Sequence, residues 1–226
     1  ESNMKSYKVS AAELKNFTKT VFEKTGLQES DAQAIAELLV HADVRGVSSH
    51  GVIRMKPYIK KINGGGASLK STYPVVQETA NTAVIDAEGG LGAVAGEKAV
   101  KIAREKAKNS LISIVSVKNS NHFGMAGHWA MKLAGEDCIG FACSNTDPSM
   151  APPGVMIPFI GNNPFSFAFA AGEKYPEVCV DMATSAAAFG KAKAYALAGK
   201  PIPEGWLLDK QGNPTTELSE YGMLVP

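Results

Sequence analysis

AVIDAEGGLGAVA, residues 83–95, runs from an apolar triplet (Ala83, Val84, Ile85) through a glycine-rich turn into a helical pattern. The turn, Gly90 to Ala95, fits G-x-G-x-x-G/A, in which glycines let a pyrophosphate approach a helix N-terminus. Two features oppose that reading. Asp86 and Glu88 stand between strand and glycines, where negative charge repels a pyrophosphate. The next strand, Leu111 to Val117, ends in Lys118-Asn119, where the fingerprint expects an acid for the ribose. Lys118 could instead suit a 2′-phosphate, which keeps the motif as an alternative. The preferred reading is a glycine turn feeding a helix, outside a Rossmann fold.

Outward from that stretch, the chain changes character near residue 70. Before it the pattern is helical. Ser10 to Glu13 forms a capping box, followed by Leu14, Phe17, Val21 and Phe22 at helical spacing, with Gly26 as the stop. A second helix is expected from Ser30, with Ile35, Leu38, Leu39 and Ala42 on its apolar face. A third run, Val52 to Ile62, contains Pro57, which predicts a kink or a late start. Beyond 70, short β-rich runs alternate with helices: 75–77, 83–86, helix 94–108, 111–117, helix 125–135, 139–143, 165–170, 178–181 and helix 186–198. This predicts a helical domain over residues 1–70 and an α/β domain over 71–226. Residues 145–164 carry Pro148, Pro152, Pro153, Pro158 and Pro164 yet are rich in Met, Ile and Phe, as in an ordered functional loop.

Composition narrows the function. With 23 basic and 22 acidic residues among 226, net charge is +1, which gives no electrostatic case for nucleic acid or an anionic membrane. No apolar run approaches the roughly 20 residues of a membrane span, and Glu1 to Tyr7 lacks the apolar core of a secretory signal. Cys138, Cys143 and Cys179 form no CxxC pair, so a reducing compartment is expected, with Cys138 and Cys143 as buried thiols.

Two clusters carry chemistry. Residues 42–54, ADVRGVSSHGVIR, gather Arg45, Ser48, Ser49, His50 and Arg54 around two glycines. Guanidinium forks bind carboxylates through paired charge-assisted hydrogen bonds. The same residues could equally form a polar helix junction with solvated arginines. Residues 119–127, NSNHFGMAG, place His122 after an apolar strand, suited to general acid–base work near neutrality. A loop histidine that only bonds backbone is the competing reading. Neither His41/His50 nor His122/His128 has helical metal-ligand spacing, so no metal is expected. Ser49 and His50 are adjacent, and neighbours in one segment rarely present their functional atoms to each other. With no G-x-S-x-G elbow, a serine hydrolase is not expected.

These clusters, with SNTDPSMAPPG, GNNPFSFAFA, VDMATSAAAFGK and IPEGWLLDKQGNPTTE, resemble the malate/L-lactate dehydrogenase family. That family is distinct from the Rossmann-type malate and lactate dehydrogenases. It includes ureidoglycolate, sulfolactate and diketogulonate dehydrogenases and a cyclic imine reductase. The resemblance implies a helical domain plus an α/β domain with a largely antiparallel sheet, usually as a homodimer, and the cysteine usage makes the cytoplasm the expected location. It implies hydride transfer between NAD or NADP and a small 2-hydroxy acid. It makes His122 the proton acceptor and puts Ser49, His50 and Arg54 in the substrate pocket, with Arg45 as a possible second anchor. Thr146, Asp181, Met182 and Ala183 would contact the cofactor. A ureidoglycolate dehydrogenase, a cyclic imino-acid reductase or an inactive nucleotide-binding relic are the alternatives. The chain departs from the pattern at Asn162, where threonine is usual, and at His128-Trp129, where tyrosine is usual; Trp129 is expected in the core. Family members also continue past Pro226, so a piece of a longer molecule is expected.

Overall fold

Helix formation begins where the capping box predicts. In the computed structural model, which describes residues 8–134, 138–152, 154–170, 172 and 177–226, the Ser10 side chain accepts from the Glu13 backbone N–H and Glu13 reaches back to Ser10, opening α1 (Ala11–Glu23). Helix α2 (Glu29–Val44) starts one residue before the expected serine, and its N-cap, Gln28, makes no side-chain capping bond. Ala32, Ile35, Ala36, Leu38, Leu39 and Ala42 are all buried, so α2 is enclosed on most sides. Phe22, Ile35, Leu38 and Leu39 are at most 1% exposed, and each stabilises the fold by about 1.5–3 kcal/mol. Two 3₁₀ turns, Ser48–His50 and Val52–Arg54, lead into α3 (Met55–Asn63). Pro57 sits in the first turn of α3, so it marks a late start and not a kink.

The chain divides into two compact units, Glu1–His128 and Trp129–Pro226. The change of pattern near residue 70 lies inside the first unit, where helices give way to β1 (Val75–Glu78), β2 (Thr82–Asp86), α4 (Gly92–Ser110) and β3 (Ile114–Lys118). β1 is antiparallel to β2, and β2 is parallel to β3. β2–α4–β3 is therefore a local βαβ unit within a three-stranded mixed sheet. Ile85, Ala87, Tyr73 and Ala95 pack between sheet and helix. β3 begins later than expected because Leu111, at φ +62°, closes the helix and is almost fully exposed.

The second unit is built on β4 (Ile139–Cys143), β5 (Phe165–Phe169) and β6 (Val178–Met182), all antiparallel, after helix α5 (Ala126–Ala134). Register lines up Ile139, Phe169 and Val178 in one row, Phe141, Phe167 and Val180 in the next, and Cys143, Phe165 and Met182 in a third. Strand residues point alternately to opposite faces, so these nine share one face. Seven of them are large exposed apolar side chains. The opposite face carries small residues: Gly140, Ser166 and Ala168 are buried, and a β-carbon on Gly140 would strike the Ala130 carbonyl of α5. Trp129, at 3% exposure, packs in the core as expected.

Helix α6 (Phe189–Leu197) and the strands β7 (Leu207–Asp209), β8 (Pro214–Thr215) and β9 (Tyr221–Leu224) follow, and the three strands form an antiparallel sheet that the pattern reading did not foresee. Met150, Ala192, Ile202, Leu207 and Leu224 form its core, and the proline-rich loop joins through Met150, bridged to Ile160 and Leu224. The loop is ordered, as expected; Pro153, residue 135 at the end of the expected 125–135 helix, and residues 1–7 lie outside the described residues. Cys143 is exposed and Cys138 and Cys179 are half-buried, so the expectation of buried thiols at 138 and 143 is corrected: Cys143 lies on the large-side-chain face of the sheet. Among the described residues, no helix is long and apolar enough to cross a membrane.

Candidate active site

Asp43, near the end of α2, organises the segment that follows. Its carboxylate accepts from the Val52 backbone N–H at 2.8 Å, satisfying an orphan donor at the start of the second 3₁₀ turn. Position 51 has to be glycine, because a β-carbon there would fall on the Asp43 carboxylate. The folded segment brings Ser49 Oγ to 2.9 Å from His50 Nδ1, and Arg54 Nε donates to the Ser49 carbonyl at 2.7 Å. The expectation that Ser49 and His50 would not meet is thus corrected: a tight 3₁₀ turn folds the hydroxyl back onto the ring. Arg45 sits at the C-cap of α2, exposed, and is not drawn into this group.

The glycine-rich turn has a partner of its own. Gly89 N–H donates to the Asn119 carbonyl at 2.8 Å, and Asn121 donates from Nδ2 to the Gly89 and Gly90 carbonyls at 2.6 and 3.1 Å. A β-carbon on Gly92 would fall on the carbonyl oxygens of Asn121 and His122. The backbone of residues 121–122 therefore occupies the approach to the N-terminus of α4 that a pyrophosphate would need. Asp86 accepts from the Glu88 N–H and from Asn119 Nδ2, and pairs with Lys118 at 3.3 Å. Of the two acids that opposed the nucleotide reading, Asp86 ties the loop down at Asn119, while Glu88 accepts from the Thr72 N–H and hydroxyl.

That loop carries His122 to the start of the helix-side cluster. Tyr58 of α3 places its hydroxyl 2.6 Å from His122 Nδ1, and the Gly124 N–H donates to the same nitrogen at 3.3 Å. The His50 ring stacks on His122 with centroids 5.5 Å apart. One edge of His122 is open to solvent, while protein crowds the rest. Burial, then His50, Arg54 and Lys61, push its pKa down to about 3. Burial and Arg54 push His50 down to about 4. Burial pushes Tyr58 up to about 12, against the opposing influence of Arg54. Both rings are neutral and the phenol is protonated near pH 7. Because a backbone N–H can only donate, Gly124 favours the tautomer with hydrogen on Nε2, and a phenol hydroxyl can serve either tautomer. The arrangement can hold and move a proton beside a guanidinium. Tyr58 was missed in the sequence, although it lies one helical turn after Arg54.

A second group of polar residues lies in the other unit, at one end of the β4–β5–β6 sheet. Thr146 donates from its backbone N–H to Asn163 Oδ1 at 3.0 Å and from Oγ1 to Asn162 Oδ1 at 2.9 Å. Thr184 donates to the Asn162 carbonyl from both N–H and Oγ1. Asp181 and Met182 end β6, with Ala183 next, and antiparallel pairing puts all of these at the same sheet end. Asn162 thus keeps a hydrogen-bonding role where the family pattern has threonine. The hydroxyls, amides and carboxylate suit ribose hydroxyls and a carboxamide, and exposed Met182 offers apolar contact to a flat ring.

The other histidines pair across the fold and not along the sequence. His41 Nδ1 lies 2.8 Å from His128 Nδ1, so one ring donates and the other accepts, and Glu97 stands 3.9 Å from His128 Nε2. No cluster of three or more potential metal ligands occurs among the described residues.

Residues 9–226 match the family model described as malate/L-lactate dehydrogenase. The malate dehydrogenase of Pyrococcus horikoshii is 42% identical over 214 residues, covering 93% of this chain and 59% of that protein. The L-sulfolactate dehydrogenase of Methanocaldococcus jannaschii is 41% identical over 208 residues, 91% of this chain and 60% of its own length. The solved malate dehydrogenase from Entamoeba histolytica superposes with a TM-score of 0.91 at 33% identity, over 98% of this chain and 63% of that one. The chain thus spans about three fifths of the length of the relatives it matches.

Proposed function

The chain belongs to the malate/L-lactate dehydrogenase family, and from that premise we propose that it forms part of a dehydrogenase that oxidises a small 2-hydroxy acid, such as malate or L-lactate, with NAD or NADP. The observation that carries this reading is the 2.6 Å contact between Tyr58 and the neutral His122, beside Arg54.

Arg54, already anchored through Nε to the Ser49 carbonyl, keeps its remaining N–H groups for the substrate carboxylate. That carboxylate offsets the guanidinium's part, after burial and His50, in lowering the His122 pKa. In the Nδ1–H tautomer, which gives up the longer Gly124 contact and directs its hydrogen at the Tyr58 oxygen, Nε2 is open to take the hydroxyl proton. In the reverse direction the imidazolium returns its Nε2 proton to the alkoxide oxygen that forms from the 2-oxo group as hydride reaches C2, leaving the neutral Nδ1–H ring bonded to Tyr58. His50, stacked on His122 and bonded to Ser49, keeps the ring in place. A bound nicotinamide supplies the hydride acceptor, and Thr146, Asp181, Met182 and Ala183 are the residues proposed to hold it. Residues up to about 70 then provide the anion-binding and orienting groups, and the following segment the base and cofactor loops. Three unpaired cysteines favour the cytoplasm as the site of action, and the family resemblance favours a homodimer.

The test is turnover of malate, L-lactate and ureidoglycolate by the intact protein with NAD and with NADP, followed by nicotinamide fluorescence. His122→Ala is expected to lower turnover by about 10² to 10⁴ while leaving cofactor binding intact. Turnover within threefold of the parent protein would remove His122 from the mechanism.

A further inference from the structure

We propose that Lys61 is the specificity-determining residue of this site, receiving a second anionic group, carboxylate or sulfonate, on the carbon chain of the substrate. The inference rests on the 2-hydroxy acid reading above and adds to it a role for a residue outside the sequence motifs.

Arg54, Tyr58 and Lys61 follow one another at intervals of four and three residues, from the N-cap of α3 into its second turn. That spacing puts them in a single stripe on one helix face, about 10 Å long at 1.5 Å per residue. The middle member holds His122 at 2.6 Å. The stripe therefore reads cation, proton-transfer pair, cation. Lys61 and Tyr58 line a cavity of about 40 Å3 together with Gly92, Asn121 and His122. Ile35 and Leu91 make the rest of its wall mostly apolar, with space for about one small group.

The charges have no internal answer. Among the described residues Lys61 makes no hydrogen bond and no ion pair, and Arg54 uses only Nε, on a carbonyl. Four other lysines of the first unit are committed elsewhere: Lys19 to Glu23 and Glu29, Lys98 to the Tyr73 carbonyl, Lys106 to Glu78, and Lys118 to Asp86. Asp43, the nearby carboxylate of the segment, is bonded to the Val52 N–H. His50, His122 and Tyr58 are neutral at pH 7. The site carries two positive charges with no carboxylate between them. A monoanion answers one; a substrate with an acid group at each end of a short chain answers both, with its hydroxyl carbon left beside the imidazole. The Lys61 stem packs over Gly66, where a β-carbon would stand 2.9 Å from Cγ, so the ammonium is carried on a supported arm.

The experiment compares the intact parent protein with Lys61→Met, which keeps the stem, and Lys61→Arg, which keeps the charge. kcat/KM is measured for malate, sulfolactate and L-lactate, and equilibrium binding for the unreactive pair succinate and propionate. Lys61→Met should lose about 10- to 100-fold on malate and sulfolactate, change less than threefold on L-lactate, and abolish the preference for succinate over propionate. Lys61→Arg should restore most of the difference. An equal loss on malate and L-lactate, or no loss on either, overturns the assignment. If the parent protein turns over none of the acids, the dehydrogenase reading fails by itself. Succinate selectivity that vanishes in Lys61→Met would then still uphold the anion receptor, and its absence would end it.

Discussion

Replacing Gly92 by alanine tests whether the glycine turn serves as a seat for the His122 loop. Gly92 opens α4, and its φ is not in the left-handed region, so the backbone itself accepts alanine; helix propensity even favours it by up to about 1 kcal/mol. The obstacle is what the new methyl meets. Besides the two carbonyl oxygens, it would stand 2.7 Å from the His122 carbonyl carbon, about 0.7 Å short of the 3.4 Å at which ordinary contact begins. These are backbone atoms, pinned through Asn121 to Gly89 and Gly90, so they cannot swing aside as a flexible side chain would. Overpacking of this kind costs about 1–3 kcal/mol, and each kcal/mol lowers Tm by about 2–4 °C at this chain length. A catalytic group displaced by about 1 Å can lose about 10² in rate. Gly92→Ala is therefore expected to lower kcat/KM by about 10- to 100-fold with a fall of a few degrees in Tm. Gly89→Ala is the control. At φ +76° it is strained by about 1–2 kcal/mol, but nothing lies within 4 Å of its β-carbon, so stability should fall with kcat/KM within about threefold. Equal kinetics in the two variants, with Gly92→Ala near the parent, would refute the seat.

Tyr58→Phe removes one hydrogen bond to His122 Nδ1 and leaves that of Gly124; kcat should fall about 3- to 10-fold with KM nearly unchanged. Asp43→Ala strands the Val52 N–H, and thermal denaturation should register a loss of about 0.5–2 kcal/mol with a raised KM as Ser49 and Arg54 loosen. His50 and His122 are held below the 6.5 of free imidazole, neutral in the fold and protonated in the unfolded chain. Their stabilising contribution is thus complete above about pH 6.5 and is lost as pH falls toward about 4 for His50 and about 3 for His122. Water at the open edge of His122 screens its share, so the effect rests mainly on His50. Urea midpoints between pH 7.5 and 4.5 should slope less in His50→Gln than in the parent protein; parallel slopes would contradict this.

Local rules made part of the molecule legible. The Ser10–Glu13 box works between residues three apart, so it could be read directly, and β2, β4, β5 and β6 announce themselves through short apolar runs. The expected cap at Ser30 failed because α2 is held by burial of its apolar residues and not by its end. β7 and β8, at three and two residues, are too short to show a period. Within the site, His122 and Arg54 could be picked out by type and motif. The contacts that define their chemistry join Tyr58 to position 122 and Gly92 to position 121, and nothing in the spacing of one segment encodes its approach to another. The same limit left the histidine contacts unread: His50 meets His122 and His41 meets His128.

The three apolar rows across β4, β5 and β6 carry a practical consequence. Water wets such a surface at a cost that grows with its area, and a contiguous patch of this kind marks a place where something else is meant to lie. For the 226-residue chain handled alone, this sets a ceiling on concentration: ANS fluorescence and light scattering should rise together, and charged replacements at Phe141 and Phe167 should raise the solubility limit while leaving the fold of the first unit untouched.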